Sequence, residues 1–397
     1  MKKILVINAG SSSLKWAFYS ENKLELLYSG LCERIGLDGN IILKRNDEKL
    51  EFPIALPDHG TAVENLIRLW KENKFIDDLN EISAIGFRIP FSGYKYLTPV
   101  VYSQEVRESI ETAKKFIPLH VPPFLSAIDA FNKYLPKIVK IVAQDTAFHV
   151  DMPKINKTFP INKEWAKKFN VEKFGYHGLS HDYINEKMKQ ILGKNRVNIV
   201  VAHLGSGSSL CAIKNGKSID VSVGFSSIDG LMMGTRSGAI DPGITDYLIR
   251  IEHQDPQDVF DMLVKKSGLL GISGISNDIR DLHNLYEKDE NAKFAVDLFV
   301  SKIVDYLAMY LNKIGKEPDA IVFTAGIGEN DPIIRQMVVD GINSYNLKIS
   351  PKLNEAKYDD YVKISSDSSD IPVYKMKTNE EIVIARYVKK ILSKLNK

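Results

Sequence analysis

Two similar stretches decide the fold: residues 4–18, ILVINAGSSSLKWAF, and residues 199–213, IVVAHLGSGSSLCAI. Each begins with an apolar run, passes through one polar residue (Asn8 or His203) into a Gly-Ser turn, and continues from a leucine into a second apolar run. After the first turn, large apolar residues alternate with other residues, which is the period of a β-strand. Because this strand–turn–strand pattern occurs twice, the sequence predicts two similar α/β domains facing each other. The alternative is a chance likeness of two unrelated Gly-Ser hairpins.

The turn at residues 8–13 differs from the phosphate-binding loop of nucleotide-binding P-loop proteins. That motif requires G-x-x-x-x-G-K-[ST] before a helix, whereas here no second glycine precedes Lys15 and a strand pattern follows. A glycine still lets the main chain approach a ligand closely, and successive N–H groups form a concavity that binds anions. We therefore predict that the two turns bind one polyphosphate from opposite sides.

Strand-like runs alternate with helical patterns along the chain, which is typical of α/β proteins. The predicted strands are KKILVIN, LKWAFY, IILKR, ISAIGF, KIVKIVA, VNIVVAHL, DAIVFTAG and IPVYKMK. The predicted helices cover residues 61–73, 122–134, 179–193, 256–266 and 291–314. The proline-bounded segment DMPKINKTFP, residues 151–160, is the predicted crossing between the two halves.

Composition excludes several classes of protein. A net charge of +3 over 397 residues gives no reason to expect nucleic acid or an acidic membrane surface as a partner. No apolar stretch reaches 18 residues, and the apolar run near the start is too short for a signal peptide. Cys32 and Cys211 are the only cysteines, which fits reduced, buried thiols. These features predict a cytoplasmic enzyme or binding protein.

Two glycine-rich segments carry candidate catalytic groups. GFSSIDGLMMGTRSGAIDPG, residues 224–243, contains the single cation Arg236, whose planar guanidinium suits carboxylate or phosphoryl oxygens; a surface ion pair is the alternative. FGYHGLSH, residues 174–181, contains His177 and His181. Their spacing could suit a metal, but the glutamate of H-E-x-x-H is absent, so we predict a functional histidine rather than a zinc site.

Three further segments place polar groups or glycines where strands end. Asp145 follows KIVKIVAQ and could hold Mg²⁺ through water or position a nucleophile, and Glu380 lies in KTNEE after another strand. Both could equally be acids at helix N-termini. Gly326 and Gly328 of IVFTAGIGEN leave room for a flat group such as adenine, although an ordinary strand-to-helix turn would look the same.

Together these segments resemble the acetate kinase family, within the sugar kinase, heat-shock chaperone and actin superfamily. NAGSSSLK and GYHGLSH are similar to its two signature segments, and PLHVP, DTAFH, HLGSGSS, GLMMGTRSGAIDPG, FTAGIGEN and TNEE match others in the same order. The resemblance runs from Ile4 to about Arg386. It implies two duplicated actin-like (ribonuclease H-like) α/β domains with the active site in the cleft between them. The implied domains are residues 1–150 with about 381–397, and residues 151–380, the latter with the nucleotide site and the dimer interface.

The family implies phosphoryl transfer from ATP to acetate, giving acetyl phosphate and ADP, in a homodimer that uses Mg²⁺, with Mn²⁺ as an alternative. The matching positions here would be Asn8 and Glu380 for the metal; Ser11, Ser13, Lys15, His203, Leu204, Gly205, Ser206, Gly207, Asp278, Ile279, Arg280, Gly326, Ile327, Gly328, Glu329 and Asn330 for the nucleotide; Arg88, Asp145, His177 and Arg236 for catalysis; and Arg88, Pro90, Leu119, Tyr176 and Ser227 for the acid.

These residue types suit a carboxylate nucleophile, which is already ionised at neutral pH. Such a reaction needs alignment with the γ-phosphate and cancellation of like charge, which two arginines, a histidine and Mg²⁺ supply. The family gives Asp145 the role of catalytic acid. Since no strong base is needed, we expect Asp145 instead to hold Mg²⁺ through water or to orient Arg88.

Several positions depart from the family pattern. GFRIPFSG stands where the family has G-H-R-V-V-H-G-G, so Arg88 is retained while Pro90 replaces a valine of the acetate methyl pocket. Tyr176 replaces a phenylalanine of that pocket and Ser227 a proline, whereas Leu119 is retained. Proline fixes φ and lacks an N–H, so the strand should end or lie at an edge at residue 90. Ser206 also replaces the asparagine of H-L-G-N-G.

Three functions remain compatible with the sequence. The first is an acetate kinase, and the second is a propionate or butyrate kinase with a reshaped pocket. The third, from another class, is an actin- or chaperone-like ATPase that drives a partner interaction. Arg88, His177 and Arg236 argue against the third, because an ATPase switch needs no carboxylate clamp.

Overall fold

A computed structural model describes residues 1–115, 117 and 121–395. The chain divides into two compact units. The first combines Met1–Val150 with the C-terminal segment Asn379–Lys397, and the second is Asp151–Thr378. The second unit therefore ends two residues before the predicted limit at residue 380, and Glu380 belongs to the first unit.

The strands fall into one sheet per unit. They are β1 (Lys3–Ala9), β2 (Ser13–Ser20), β3 (Leu26–Glu33), β4 (Asn40–Arg45), β5 (Glu48–Phe52), β6 (Ile82–Ile89), β7 (Val100–Val101), β8 (Val139–Gln144), β9 (Ile199–His203), β10 (Ser209–Lys214), β11 (Lys217–Val221), β12 (Ala320–Thr324), β13 (Tyr361–Lys363) and β14 (Val373–Met376).

The α-helices in chain order are α1 (His59–Glu72), α2 (Gln104–Ala113), α3 (Val121–Tyr134), α4 (Lys154–Lys157), α5 (Lys163–Phe169), α6 (Gly178–Leu192), α7 (Pro242–Asp246), α8 (Pro256–Lys265), α9 (Gly268–Ser273), α10 (Ile279–Leu285), α11 (Glu290–Ile314), α12 (Ala325–Asn330), α13 (Pro332–Asp340), α14 (Pro351–Glu355) and α15 (Glu380–Leu395). Two 3₁₀ turns cover Leu79–Glu81 and Asp145–His149, and a π-helical turn covers Tyr247–Ile251.

The two sheets share one plan. The first unit has strand order β5-β4-β3-β2-β1-β6-β8-β7, and the second has β11-β10-β9-β12-β14-β13. In each, an antiparallel hairpin (β1–β2 or β9–β10) is followed by two parallel neighbours, β6 and β8 or β12 and β14. An antiparallel strand, β7 or β13, then pairs at the edge. The predicted α/β class is confirmed, and the strand–turn–strand is present in both units.

The hairpins have the predicted register but different turns. In the first unit, Ala9 pairs with Leu14, and the Gly10 N–H donates to the Ser13 carbonyl at 2.8 Å. In the second unit, His203 pairs with Ser209, which leaves a longer loop between them. β6 ends at Ile89, one residue before Pro90, as the missing N–H of proline predicts.

Packing is closest where helices lie on the sheets. In the first unit, α15 packs on β6 so tightly that a Cβ added to Gly86 would lie 2.6 Å from Ile384 Cγ2 and 2.7 Å from Val388 Cγ2. In the second unit, α11 contributes one side of a large buried core that includes Phe299, Tyr310 and Phe323. Within the described residues, no helix is both long and apolar enough to cross a membrane.

Candidate active site

In the first unit, three charged side chains meet at the carboxyl ends of neighbouring parallel strands. Arg88 lies near the end of β6, and Asp145 directly follows β8. Arg88 donates from Nε and Nη2 to the two carboxylate oxygens of Asp145, both at 2.9 Å, and from Nη1 to Glu380 Oε2 at 2.8 Å. Glu380 is the first residue of α15. This fork geometry fixes the plane of the guanidinium.

The cluster is buried and its charges do not cancel. The side chains of Arg88, Asp145 and Glu380 are 20%, 3% and 15% exposed. Burial raises the pKa of Glu380 above its usual range; Arg88 opposes this effect, whereas Asp145 and Glu381 add to it. Burial alone would lower the pKa of Arg88. Its interactions with Asp145 and Glu380, and more weakly with Glu381, outweigh burial and raise this pKa above its ordinary value. Asp145, Glu380 and Glu381 thus interact with Arg88, and Glu380 also interacts with Lys15, so a further cation is needed to hold all three carboxylates in their charged form.

A divalent cation would stabilise the charged form of Glu380. Asn8 and Glu380 offer an amide and a carboxylate oxygen, the hard donors that Mg²⁺ prefers. Among the residues described, no group of three or more His, Cys, Asp or Glu forms a cage for a metal. Mg²⁺ typically keeps several waters and binds through one or two carboxylates plus substrate phosphates, so such a cage is not required.

The first hairpin turn is held by a buried histidine that our sequence analysis missed. His59 Nε2 lies 2.9 Å from the Gly10 carbonyl oxygen, and His59 is 6% exposed at the start of α1. Lys15 lies opposite Asn8 in the β1–β2 register and is exposed. Ser11 is exposed and Ser13 is half-buried. This turn therefore presents polar groups on a braced backbone.

In the second unit, histidines cluster around one serine. His177 precedes α6 with a left-handed backbone (φ 57°), and its Nδ1 lies 2.9 Å from Ser209 Oγ. His181 Nε2 lies 2.8 Å from the same oxygen. The ring of His177 stacks on that of His203, with centroids 4.4 Å apart and planes at 19°. His203 Nδ1 lies in turn 2.8 Å from Ser180 Oγ.

Ser209 couples the protons of His177 and His181. A serine hydroxyl has a single proton to donate, so it can donate to one of the two ring nitrogens while it accepts from the other. When His181 donates to Ser209 and Ser209 donates to His177 Nδ1, a neutral His177 carries its proton on Nε2. In the opposite direction, His177 donates from Nδ1 to Ser209, and its Nε2 then carries a proton only when the ring is a charged imidazolium. Ser209, another residue missed from sequence, thus sets which nitrogen of His177 can donate.

Arg236 lies beside His177 without an anionic partner. Its Nη1 donates to the Ser227 carbonyl at 2.8 Å, and within the described part of the chain no carboxylate oxygen lies within 4 Å. Burial lowers the pKa of Arg236. A Cβ built on Gly207 would lie 3.2 Å from Arg236 Nη2 and 3.5 Å from His177 Nε2. Arg236, His177 and the Gly207 backbone therefore lie close together. The alternative that Arg236 forms a surface ion pair is wrong as far as the described residues show.

The predicted nucleotide loops of the second unit contact one another. The Ile327 and Gly328 N–H groups donate to the Leu204 carbonyl, and Asn330 Nδ2 donates to the Gly326 carbonyl. Glu329 Oε1 accepts from the Ala325 and Thr378 N–H groups, and burial raises the pKa of Glu329.

The other predicted nucleotide segment, Asp278 to Arg280, starts a helix. Asp278 accepts from the Arg280 N–H as the cap of α10 and forms an ion pair with the exposed Arg280 side chain. This hydrogen bonding from Arg280 lowers the pKa of Asp278 to about 2. The geometry therefore gives Asp278 a capping role, and Ile279 is buried behind it.

Comparison with known proteins identifies the family. The model of the Acetokinase family matches residues 3–386. An acetate kinase of Mycoplasmopsis pulmonis is 45% identical over 392 residues, which are 98% of this chain and 100% of that protein. The chain belongs to the acetokinase family.

Two solved structures have the same fold. Porphyromonas gingivalis acetate kinase has a TM-score of 0.88 at 34% identity and covers 99% of this chain and 100% of its own. A propionate kinase from Francisella tularensis has a TM-score of 0.90 at 35% identity, with 98% and 99% covered.

Membership confirms the resemblance and the duplicated actin-like fold that it implied. The family's acid-pocket positions fall on both units. Pro90 follows β6 in the first, while Tyr176 and Ser227 belong to the second, where the buried Tyr176 hydroxyl donates to the Phe225 carbonyl at 3.3 Å. Leu119 lies outside the described residues. The Tyr176 hydroxyl thus has a hydrogen-bond partner within the second unit.

The glycines of the family's nucleotide motifs have different neighbours. A Cβ on Gly328 would lie 3.3 Å from the backbone of Phe323 and 3.4 Å from the Ala202 carbonyl oxygen. A side chain at residue 328 would therefore press on β9 and β12 before it met a ligand. Among the described residues, no atom outside the turn lies within 4 Å of a Cβ built at Gly326, so a side chain there would meet open space.

Proposed function

We propose that this acetokinase transfers the γ-phosphoryl group of ATP to acetate, reversibly and by direct in-line displacement, giving acetyl phosphate and ADP. The observation that carries the proposal is Arg236. It is a partly buried guanidinium with no carboxylate partner in the described chain, and it faces His177 Nε2 and the Gly207 backbone. A partly buried cation without a carboxylate partner, beside hydrogen-bond donors, suits an anionic reacting group.

The reaction makes one bond and breaks one. A carboxylate oxygen of acetate attacks the γ-phosphorus while the bond from that phosphorus to the β–γ bridging oxygen breaks, and ADP leaves with the electron pair. No proton has to move, because the acid is ionised at neutral pH. Arg88 and Arg236 counter the repulsion between the two anions and hold them in line.

His177 donates from Nε2 to the transferring phosphoryl oxygens, with Ser209 fixing its tautomer. Asp145 holds the guanidinium of Arg88 in the plane that a carboxylate or phosphoryl group requires. Asn8 and Glu380 would hold Mg²⁺, or Mn²⁺ in its place, which supplies neutralisation of phosphate charge. Lys15 and the Gly205–Gly207 and Gly326–Asn330 loops bind the nucleotide phosphates and adenosine.

A coupled assay with Mg-ATP and acids of two to five carbons tests the function. We expect acetate to have the highest kcat/KM and propionate to follow within roughly tenfold, because one methylene in an apolar pocket changes binding by about 1–3 kcal/mol. A ratio that favours propionate or butyrate would make the chain a kinase of longer acids. Hydrolysis of ATP without turnover of any short acid would favour the hypothesis of an actin- or chaperone-like ATPase instead.

We also propose that the active protein is a cytoplasmic homodimer that buries part of the second unit. A cavity of about 370 Å³ in that unit is lined by apolar side chains, among them Ile240, Ile244 and Ile272, which are 37%, 46% and 40% exposed. Tyr247, which follows α7, is 51% exposed. Contiguous exposed apolar surface marks interaction sites. Light scattering should give a dimer for the native chain and a monomer for Ile244→Glu; a native monomer would contradict the proposal.

A further inference from the structure

The second unit contains a cavity of about 610 Å³, in which two buried cations form no ion pair with any carboxylate of the described residues. It lies among α13, α14, the segment after α14 and the end of β14. Arg335 of α13 and Lys375 of β14 line it and are 1% and 3% exposed. We call it the Arg335 cavity.

Backbone oxygens satisfy only part of the hydrogen bonding of these cations. Arg335 donates from Nε to Asn354 Oδ1 at 2.6 Å, from Nη1 to the Gly328 carbonyl at 2.8 Å and from Nη2 to the Asn354 carbonyl at 2.7 Å. Lys375 Nζ donates to the Asn354 and Ala356 carbonyls, both at 2.7 Å. A guanidinium has five N–H donors and an ammonium three, so two remain on Arg335 and one on Lys375.

A third side chain adds a spare donor. The Tyr358 hydroxyl is buried and has no hydrogen-bond partner among the described residues. Lys375 Nζ lies 4.8 Å and Lys377 Nζ 5.5 Å from the centroid of its ring. Three N–H groups and one hydroxyl around a single cavity are therefore available to donate hydrogen bonds to the oxygen atoms of a ligand.

Charge leads to the same conclusion. No carboxylate oxygen lies within 4 Å of Arg335 or Lys375 in the described chain, and carbonyl dipoles satisfy hydrogen bonds without neutralising charge. Burial lowers the pKa of Arg335 to about 10, although Asp331 acts against this at longer range, and burial together with the Arg335 charge lowers the pKa of Lys375 to about 8. Glu329 lies at one side of the cavity, and its Oε1 accepts hydrogen bonds from two backbone N–H groups.

The mouth of the cavity carries charges of both signs. Lys357 and Lys377 are exposed there, as are Glu355 and Asp359. These exposed groups largely offset one another in solvent. Inside the cavity, where the dielectric constant is lower, the buried cations of Arg335 and Lys375 outnumber the one half-buried carboxylate of the lining, Glu329.

We propose that the Arg335 cavity binds a phosphate group, either as inorganic phosphate or as part of a small phosphorylated molecule. A phosphate presents several acceptor oxygens and a charge of up to two, which matches the spare donors and the two cations. The cavity shares Glu329 and Asn330 with the proposed nucleotide loop but is not lined by Arg236, and phosphate binding there goes beyond the proposed acetate kinase activity.

Calorimetric titration of inorganic phosphate into the Arg236→Ala protein tests the proposal, since that variant weakens phosphate binding at the proposed catalytic site. We expect binding in the millimolar range. Tyr358→Phe on this background, which removes only the hydroxyl, should raise the Kd by about fivefold or more, and Lys375→Met by about tenfold or more. Tyr361→Phe, at an exposed tyrosine outside the cavity, is the matched control and should leave the Kd unchanged.

Glycerol phosphate in the same titration distinguishes the sources. Tighter binding than inorganic phosphate, lost in Tyr358→Phe, assigns the site to a phosphorylated molecule, whereas weaker binding assigns it to free phosphate. Equal Kd values for Arg236→Ala with and without Tyr358→Phe, or no heat of binding up to about 20 mM phosphate, would overturn the proposal. Because the titration measures no turnover, its failure leaves the acetate kinase assay independent.

Discussion

Asp145 provides the sharpest test of how the first unit contributes to catalysis. It holds Arg88 through two hydrogen bonds of 2.9 Å, and Glu380 holds the same guanidinium through a third of 2.8 Å. If Asp145 orients Arg88, the effect of a substitution should scale with the number of these bonds that it removes. If Asp145 instead moves a proton, any residue that cannot titrate should be equally harmful.

The expected magnitudes follow from the geometry. Asp145→Asn keeps one acceptor for Arg88 and loses one bond to a charged group, worth ~1.5 kcal/mol. This corresponds to roughly tenfold in kcat/KM. Asp145→Ala loses both bonds, ~3 kcal/mol, or roughly a hundredfold. We expect most of each loss in the KM for acetate, because a misoriented Arg88 binds carboxylate poorly.

Steady-state kinetics of both variants, with acetate varied at saturating Mg-ATP, measures these values. Asp129→Asn is the matched control, since Asp129 pairs with Arg107 at an exposed position of the same unit and should not affect turnover. Equal losses in kcat for the Asn and Ala variants, with the KM for acetate unchanged, would refute the orienting role and support proton transfer.

Four further predictions concern single sites. Arg236→Ala should lower kcat/KM by roughly 100-fold or more while the circular dichroism spectrum stays native; near-normal turnover would remove Arg236 from the site. Gly207→Val should weaken ATP binding in calorimetry, because its side chain would enter the space beside Arg236; unchanged affinity in a folded protein would contradict this. Cys32 and Cys211 should resist alkylation at neutral pH until urea unfolds the chain, since burial raises the pKa of both to about 12; rapid modification of the native protein would argue against that burial. Burial lowers the pKa of Lys375 from 10.5 to about 8, so between pH 8 and about 10 the folded chain binds fewer protons than the unfolded chain. The free energy of unfolding should therefore rise by about 2 kcal/mol over this pH range. Urea titrations of Lys375→Met should lack this rise.

The sequence predicts those features that depend on neighbours along the chain. The β1–β2 hairpin follows from alternation around a glycine turn, and the end of β6 follows from Pro90. The pairing of Arg88 with Asp145 was one of two roles expected for Asp145, because a carboxylate nucleophile needs no strong base; the structure places the two residues on neighbouring parallel strands. The strands β3, β5, β7, β11 and β13 were not predicted. β7 and β13 are too short for their period to stand out, and the sequence of β3, LLYSGLCE, lacks a regular apolar alternation.

Features that depend on distant contacts could not be predicted in the same way. His59 is a single histidine after a helix cap, and nothing near it in the sequence indicates that it contacts the Gly10 carbonyl. Ser209 is one of several serines in GSGSS, and only the fold shows that it lies between two imidazoles. The helix α15, which brings Glu380 to Arg88, was not predicted from the sequence.

The first unit is assembled from the two ends of the chain, and this has a consequence for biosynthesis. A ribosome finishes the whole of Asp151–Thr378 before it makes α15, whose Ile384 and Val388 cover Gly86 on β6. Domains usually fold in order from the N-terminus during translation. Here the half that is made first must wait for the last helix, with its sheet uncovered on one face, while the uninterrupted half can already fold. A chain that stops short of α15 would therefore leave the ribosome with a finished second unit, an open first sheet exposed to aggregation and no Glu380.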